Sequence, residues 1–463
     1  MKHGLPDYNT EDCIAALASP WGQGALAVIR ASGQGCLERL APAFSKAEKL
    51  LRARGGAMLH GSIKNPQTGE ALDEVMLGVF RKPAGYTGED AFEIYCHGSL
   101  PGIRGILSLL ARLGFRQARS GEFTFRAFSN GKMDLTRAEA VREIVCAQTE
   151  KAHTLALRRL SGAVADKINE AKGLLLQARA DVEIRLDYPE EDSPDAEAGD
   201  TAAAAARCEE ILERLLATCA EGRLYQEGAR VALAGRTNAG KSSLFNYVLK
   251  EERSIVSENP GTTRDYIEAL VPLAGIPVRL YDTAGLRDSP DFVEGEGVRR
   301  SRRILEEAAL VVYLVDASEG GLFRLDAEDE KTILSLGGRV ITAWNKTDLL
   351  PPQALRAARQ AGHLCLSAAT GDGVAGLLGE IGKRLLPERP AGEEALIDSL
   401  RQKELLEQSL AALRRFSLRA GKYPLDMAAE DLREAMGALE KISGETTTEE
   451  MLALMFSRFC VGK

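Results

Sequence analysis

Residues 231–242 read VALAGRTNAGKS, and this stretch decides the fold of the middle of the chain. Its last eight residues, from Gly235 to Ser242, fit the pattern GxxxxGK[ST], and they stand between an apolar strand-like run and a helical run, as that pattern requires. Such a loop turns its backbone N–H groups inward around phosphates, and the next helix presents its positive end to them. We therefore expect Lys241 to reach the phosphates of a nucleotide and the Ser242 hydroxyl to bind Mg²⁺.

Three later motifs indicate which nucleotide is bound. Asp282-Thr-Ala-Gly285 follows the apolar run 278–281, so Asp282 can hold the Mg²⁺ shell and Gly285 can donate to the γ-phosphate. Asn345-Lys-Thr-Asp348 follows the run 340–343, and the Asp348 carboxylate can accept the N1 and 2-amino hydrogens of guanine. Ser367-Ala-Ala follows the next short strand and would close over the base. Together the motifs resemble the small-GTPase superfamily, and the predicted GTP contacts are Asn238, Ala239, Gly240, Lys241, Ser242, Ser243, Ser257, Thr262, Thr263, Asp282, Thr283, Ala284, Gly285, Asn345, Lys346, Asp348, Ser367, Ala368 and Ala369.

The residue after the second motif predicts how hydrolysis is assisted. Ras-like proteins place a glutamine there to orient the attacking water, whereas this chain has Leu286, which cannot do so. Asn238 and the segment 257–265 (SENPGTTRD) offer oxygens that could hold a monovalent cation, such as K⁺, against the phosphates. That cation would stabilise the charge that develops during transfer, and Thr263 would be a second Mg²⁺ ligand. For Asn238 alone, an ordinary loop amide is an equal alternative.

The pattern along the chain divides it into four stretches. Residues 1–125 mix helix-like runs with strand-like runs at 25–29, 75–80 and 91–96, which predicts an α/β domain. Residues 126–227 are helical in pattern. Residues 228–385 alternate helices with apolar strands at 231–234, 278–281, 311–315 and 340–343. Residues 386–463 return to helical pattern, with Thr447 as a candidate cap of the last helix. The predicted fold class is therefore multidomain α/β and all-α: an α/β amino-terminal domain, a discontinuous helical domain and an inserted Ras-like P-loop G domain.

Composition limits the class of protein and its location. The chain has 463 residues and a formal net charge of −8, which argues against general coating of nucleic acid. Its eight cysteines include no CxxC pair, so reduced thiols in a cytosol are expected. The start of the chain lacks the apolar stretch of a signal peptide, and nowhere do about 18 apolar residues run together. We expect a cytoplasmic protein with no membrane span.

Motifs outside the G domain resemble one particular family, the tRNA modification GTPases MnmE (TrmE). They are residues 25–33 (ALAVIRASG), 85–93 (GYTGEDAFE), 96–98 (CHG), 120–135 (SGEFTFRAFSNGKMDL) and the terminal FCVGK at 459–463. The resemblance implies an amino-terminal domain that dimerises and binds 5-formyl- or methylene-tetrahydrofolate, and a K⁺-dependent G domain. It also implies a flavoprotein partner, MnmG (GidA), which carries the FAD. Such a complex installs an aminomethyl-type group at C5 of the wobble uridine of tRNA.

The resemblance also assigns individual residues. It places Arg30, Glu93, Lys132 and Lys463 around the folate, where Glu93 can pair with the donor edge of a pterin and the cations with its glutamate tail. It assigns the K⁺ ligands to Asn238, Ser257, Asn259 and Thr262, and the acid that positions water to Glu294, for which an ordinary charged switch loop is the alternative.

The resemblance makes Cys460 a candidate chemical group. A thiolate there could act as nucleophile or proton-transfer group, and the alternative is a buried apolar thiol. For the whole protein, the competing function is a regulatory GTPase in ribosome assembly of the Era or Der type, which shares the G-domain motifs.

Overall fold

The structure is a computed structural model that describes residues 8, 10–187, 198–251, 268–283, 303–318, 323–386, 397–419 and 424–463. The chain forms two compact units. Unit 1 comprises Met1–Val145, Arg159–Glu210 and Leu405–Lys463, and unit 2 comprises Cys146–Arg158 and Ile211–Glu404. The domain boundaries predicted from sequence stay predictions.

Unit 1 begins with a six-stranded sheet of order β3-β4-β5-β2-β1-β6, in which only β1 and β6 pair in parallel. Alternation along β2 sends Ile29 and Ala31 into a core with the helices, while Arg30 lies on the other face, opposite Glu93 of β5. The elements are β1 (Ile14–Leu17), β2 (Gly24–Ser32), α1 (Cys36–Leu40), α2 (Ala47–Arg52), β3 (Ala57–Lys64), β4 (Ala71–Phe80), β5 (Ala91–Gly98), α3 (Leu100–Arg112) and β6 (Arg116–Gln117).

In the described ranges, six α-helices lie in the sequence between this sheet and the second one. They are α4 (Glu122–Ser129), α5 (Leu135–Cys146), α6 (Glu150–Ser161), α7 (Ala163–Asp187), α8 (Ala198–Ala217) and α9 (Cys219–Glu227). The longest, α7, buries apolar residues at alternating spacings of four and three, which is the pattern of a helix with one packed face. Those residues are Val164, Ile168, Ala171, Leu175, Ala178 and Val182.

Unit 2 contains a six-stranded sheet of order β12-β11-β10-β7-β9-β8. Its neighbours pair in parallel except β8 and β9, which form a hairpin. Because β7, β9, β10 and β11 run parallel, their carboxyl ends meet at one edge of the sheet. The elements are β7 (Ala229–Gly235), α10 (Lys241–Glu251), β8 (Glu268–Leu273), β9 (Ile276–Asp282), β10 (Leu310–Asp316), α11 (Ala327–Leu336), β11 (Val340–Asn345), α12 (Pro352–Gln360), β12 (Leu364–Cys365) and α13 (Val374–Leu385).

Three helices end the chain: α14 (Leu400–Arg419), α15 (Leu425–Ser443) and α16 (Glu449–Phe456). Helix α15 packs along α7, so the helical part of unit 1 is built from stretches on both sides of the segment Ile211–Glu404. This arrangement agrees with the predicted discontinuous helical domain. Among the helices of the described ranges, none combines the length and the apolar character needed to cross a membrane.

The cap of α16 differs from the prediction by one residue. Thr448, not Thr447, precedes the helix, and its side chain accepts a hydrogen bond from the N–H of Met451. Thr447 instead donates its hydroxyl to the carbonyl oxygen of Lys441. With three consecutive threonines, the pattern alone cannot choose the cap, because each hydroxyl could serve.

Candidate functional site

The loop between β7 and α10 has the conformation of a phosphate-binding loop. Asn238 and Gly240 adopt left-handed φ values of 64° and 93°. A Cβ on Gly240 would lie 2.1 Å from the amide nitrogen of Asn345, so only glycine fits there. The loop borders a cavity of about 1300 Å³, which Asn238, Lys241, Ser242 and Thr283 help to line.

Lys241 lies inside this loop. Its side chain is buried, and its Nζ donates to the carbonyl oxygens of Gly235 at 3.0 Å and Arg236 at 2.6 Å. A buried ammonium group is costly unless it is hydrogen-bonded, and these two carbonyls meet that need at the start of the loop. The positive charge is thereby fixed where the motif places the phosphates of a nucleotide.

The predicted magnesium ligands of the described chain lie together. The Ser242 hydroxyl donates to Asp282 Oδ2 at 2.5 Å, and the Asp282 carboxylate is buried at the end of β9. Next to it, Thr283 donates to the carbonyl oxygen of Leu233 at 2.6 Å, which fixes the turn after the strand. A hydroxyl and a carboxylate are ligands that Mg²⁺ prefers, so this pair suits the ion that the fold implies.

Asn345 joins the base-recognition motifs to the phosphate loop. Its Nδ2 donates to the carbonyl oxygen of Ala239 at 2.8 Å, and its Oδ1 accepts from the N–H of Ala368 at 2.9 Å. Both bonds are buried, so this amide fixes the spacing between the phosphate end and the base end of the site. The side chain of Asn345 therefore joins three sequence motifs: its own, the phosphate loop at Ala239 and the SAA loop at Ala368.

The other residues of the base end occupy a short turn and a loop. The side chain of Asp348 is exposed on the turn after β11, where its carboxylate is open to a ligand. Lys346 has a left-handed φ of 61°, and its Nζ pairs with Asp316 at 2.6 Å. Burial would raise the pKa of Asp316, but its hydrogen bonds from Lys346 and Ser318 outweigh burial and lower it. Of the SAA motif, Ser367 and Ala368 are buried and Ala369 is exposed.

A polar network beside the loop was not predicted from the sequence. Arg236, the second residue of the phosphate loop, pairs with Asp326, Glu328 and Asp329 at the start of α11. Asp329 also accepts from the hydroxyl of Tyr313 at 2.7 Å, and burial followed by this bond raises the pKa of Tyr313. The network ties the phosphate loop to α11. The acidic residues at the start of α11 were the one feature of the sequence that could have indicated these ion pairs.

Two of the four predicted folate residues form a direct ion pair. Arg30 donates through Nε and Nη2 to Glu93 Oε1 at 2.8 and 2.7 Å. Tyr95 donates its hydroxyl to Glu93 Oε2 at 2.6 Å, and this bond is the main cause that raises the pKa of Tyr95. The Arg30 guanidinium also lies 5.9 Å from the ring centre of Tyr86 and 5.8 Å from that of Phe123. Sequence reasoning did not identify these three aromatic residues.

The terminal motif 459–463 lies against this pair. Arg30 Nη1 donates to the carbonyl oxygen of Gly462 at 3.1 Å, which joins residues at the two ends of the sequence. The tail is held further by the N–H groups of Gly121 and Phe123, which donate to the carbonyl oxygens of Cys460 and Lys463 at 3.2 Å each. Arg30, Glu93 and the backbone at Lys463 therefore come together.

The two remaining candidates of unit 1, Lys132 and Cys460, are both exposed. The side chain of Lys132 is exposed, and its Nζ donates at 3.0 Å to the carbonyl oxygen of Pro83, at the start of the loop that carries Tyr86. Cys460 is exposed, so the alternative of a buried apolar thiol is wrong. The tail places it on the surface because Phe459, its neighbour, takes the buried position.

Several predicted residues lie outside the described part of the chain. They are Ser257, Asn259, Thr262, Thr263, Ala284, Gly285, Leu286 and Glu294. Of the predicted K⁺ ligands, Asn238 is within the described ranges, and its side chain is exposed on the phosphate loop. The cation site and the acid that positions water stay predictions.

Comparison with known proteins covers both units. The family model for the MnmE helical domain matches residues 135–460, and the model for the GTP-binding protein TrmE N-terminus matches residues 13–132. The tRNA modification GTPase MnmE of Treponema denticola is 39% identical, over 98% of this chain and 99% of its own. That of a Thermus thermophilus strain is 41% identical, over 98% of this chain and 99% of its own. A crystal structure of Aquifex aeolicus Era bound to GDP·AlF4⁻ covers 40% of this chain and 66% of its own at 26% identity, with a TM-score of 0.26.

Proposed function

The chain belongs to the MnmE family of tRNA modification GTPases, and we propose that it hydrolyses GTP to control modification at C5 of the wobble uridine of tRNA. In this proposal it acts in the cytoplasm as a homodimer with a flavoprotein partner of the MnmG (GidA) type, which holds the FAD. A reduced folate supplies the one-carbon unit. The alternative of an Era- or Der-type regulator would not account for a match that extends over both flanks of the G domain.

The observation that carries the GTPase part is the Asn345 bridge between phosphate loop and base loop. It sets the distance between the Lys241 ammonium group and the Asp348 carboxylate, and a guanine nucleotide has a phosphate at one end and N1–H and amino donors at the other. Specificity for guanine follows because adenine would leave the Asp348 carboxylate without its two donors.

Within the G domain, the proposal gives a task to residues both inside and outside the described ranges. Lys241 neutralises phosphate charge, and Ser242 and Asp282 would hold Mg²⁺, which supplies charge neutralisation at the phosphates when it is bound. Asn238, with Ser257, Asn259 and Thr262, would hold K⁺ and so replace the charge of an arginine finger, and Glu294 would orient the attacking water. The loop that holds K⁺ would also form the contact surface between two G domains, so that hydrolysis is coupled to G-domain dimerisation.

In the proposed folate site, the Glu93 carboxylate can accept only a limited number of hydrogen bonds. A carboxylate offers about four acceptor positions. Glu93 already uses three of them, two for Arg30 and one for Tyr95. A pterin that presents two donors must therefore replace one of these bonds, and the tyrosine hydroxyl is the one that carries no charge. Lys132 and Lys463 would meet the glutamate tail of the folate.

Nucleoside analysis of tRNA tests the proposal as a whole. Cells that lack this chain should lose the modified wobble uridine, and the intact gene should restore it. A D348N variant should fail to restore it with GTP as the cellular nucleotide, because the amide cannot accept both guanine hydrogens. An unchanged wobble uridine in the deletion strain would contradict the proposed function.

Kinetics of the purified protein test the cation part separately. GTP hydrolysis should be several-fold faster in KCl than in NaCl at equal ionic strength, and N238A should remove the difference. Equal rates in the two salts would contradict the K⁺ assignment and leave the tRNA function standing.

A further inference from the structure

A cavity of unit 1 shares only Lys463 with the proposed folate site. It encloses about 840 Å³ beside β1 and β6, with α3 on one side and the terminal tail on another. Arg30, Glu93 and Lys132 are not among the residues that line it, whereas the exposed Cys460 is. The volume falls in the range of small-ligand sites, which is about 300–1,000 Å³.

The cavity offers an anion one exposed cationic side chain, that of Arg104. Its charged side chains are Arg104, Arg116 and Lys463, and among the described residues that line it none carries a carboxylate side chain. The whole chain, by contrast, has a formal net charge of −8. Arg116 is bound to Asp12 and Glu122. Arg104 is exposed on α3, and within the described ranges no ion pair involves it, so its guanidinium is open to a ligand.

The same cavity presents a flat aromatic surface. Trp21 lines it and is 60% exposed, an unusual position for the largest apolar side chain. Ser19, Ser108 and Gln117 add hydroxyl and amide groups to the wall. A cavity lined by both an exposed aromatic ring and a cation suits an unpaired nucleotide, because every base has a π-face and every nucleotide a phosphate.

We propose that this cavity holds one unpaired nucleotide of the tRNA substrate, with the base stacked on Trp21 and a phosphate at Arg104. The proposal rests on the proposed function, because it takes tRNA to be the substrate. A reduced folate is also flat and anionic, but three of the four residues that the family resemblance assigns to folate lie outside this cavity. The nucleotide would then lie beside the exposed thiol of Cys460.

Fluorescence of Trp21 tests the proposal directly. The chain has two tryptophans, so a Trp344→Phe background leaves Trp21 as the single reporter in the full-length protein. An anticodon stem-loop RNA with an unmodified wobble uridine should quench it saturably, and a fully paired hairpin of equal length should not. Trp21→Ala should weaken binding of the stem-loop by between about fivefold and a hundredfold, and Trp21→Phe should restore most of it.

Salt dependence tests the phosphate contact. Arg104→Gln should lower the slope of log affinity against log salt by about one, because one phosphate contact is lost. Arg112→Gln is the matched control, since Arg112 is exposed on the same helix and does not line the cavity. Unchanged affinity in Trp21→Ala together with an unchanged slope in Arg104→Gln would overturn the proposal.

Titration with 5-formyl-tetrahydrofolate distinguishes the competing ligand. If the folate quenches Trp21, and Trp21→Ala weakens folate but not RNA, the cavity belongs to the folate and the proposal is wrong. Failure of the proposed function has a different result, an unchanged wobble uridine in the deletion strain. If that modification is lost in the deletion strain but Trp21→Ala supports it with the wild-type KM for tRNA, only the nucleotide site is refuted.

Discussion

The phosphate loop of unit 2 and the Arg30 site of unit 1 are assembled in opposite ways. At the phosphate loop, the predicted side chains lie at the carboxyl end of a parallel strand or just after it, and each belongs to a short motif that can be recognised alone. At the Arg30 site, the partners are Arg30 within β2, Glu93 within β5 and a carbonyl oxygen of the terminal tail. The residues of the first site can be recognised in short segments of sequence, whereas those of the second come together only when the chain folds.

This difference predicts how each site responds to substitution. Buried backbone contacts set the geometry of the phosphate loop, so small changes there should have large effects. Exchangeable ion pairs on a half-exposed sheet face set the Arg30 site, so changes there should be graded. The largest losses are therefore expected at the phosphate loop and the smallest on the sheet face of unit 1.

Gly240→Ala should reduce GTP affinity by at least about a hundredfold, or about 3 kcal/mol. The new Cβ would lie 2.1 Å from Asn345 Nδ2 and would break the bridge that sets the site. Titration with a fluorescent GTP analogue measures the loss. Gly362→Ala is the matched control, because Gly362 also has a positive φ, of 84°, but open space around its Cβ position. Equal losses in the two variants would assign the effect to backbone strain and not to the bridge.

Asn345→Asp should weaken GTP binding by between about tenfold and a hundredfold. The substitution turns the Nδ2 donor into an oxygen that faces the carbonyl oxygen of Ala239. Stopped-flow dissociation of the nucleotide provides the measurement, with the increase expected in the dissociation rate. Asn246→Asp adds the same charge at an exposed position of α10 and should change little. A wild-type dissociation rate in Asn345→Asp would show that the Asn345 bridge does not determine the geometry of the nucleotide site.

Arg30→Ala should weaken folate binding by about tenfold while GTP hydrolysis stays unchanged. It removes the ion pair with Glu93 and the bond to the carbonyl oxygen of Gly462. Calorimetric titration with 5-formyl-tetrahydrofolate measures this, and Arg54→Ala, at an exposed arginine of the same unit, is the control. Arg30→Lys should recover part of the affinity, since it keeps the charge but not the two-point geometry. If both variants bind folate normally, this face is not the folate site.

His97 should report the electrostatics of the same sheet face with a small effect. Its Nδ1 lies 2.7 Å from Asp73 Oδ1, and this hydrogen bond is the main cause that raises the pKa of His97. The imidazolium–carboxylate pair therefore stabilises the fold below the ordinary histidine pKa of about 6.5, and the contribution is lost as pH rises through the raised value. NMR titration should show the raised pKa, and Asp73→Asn should return it towards the ordinary value. An unshifted His97 would contradict the pair.

The sequence predicted unit 2 well because its information is local. The apolar runs at 231–234, 278–281, 311–315 and 340–343 correspond to β7, β9, β10 and β11. Strand β8 was missed because it pairs only in a hairpin with β9 and follows no motif. Arg236 was missed because its partners at the start of α11 are brought to it by the fold.

The strands and site contacts of unit 1 were harder to predict from the sequence. The runs at 25–29, 75–80 and 91–96 predicted parts of β2, β4 and β5, but β1, β3 and β6 gave too weak a pattern. Family resemblance supplied Arg30 and Glu93, yet it gave neither their direct pairing nor the rings of Tyr86 and Phe123 around them. Those contacts depend on strand register and on the path of the tail, which no local pattern encodes.

The pairing of α7 with α15 has a consequence for how the protein is made. All of the stretch Ile211–Glu404 of unit 2 lies between these helices in the chain. At about 5–20 residues per second, a ribosome needs between about ten and forty seconds to synthesise that stretch. For this time the apolar face of α7 has left the ribosome without the helix that will cover it. Unit 2 therefore leaves the ribosome while the face of α7 that α15 covers is still exposed, and this face is open to non-native contacts until synthesis reaches α15.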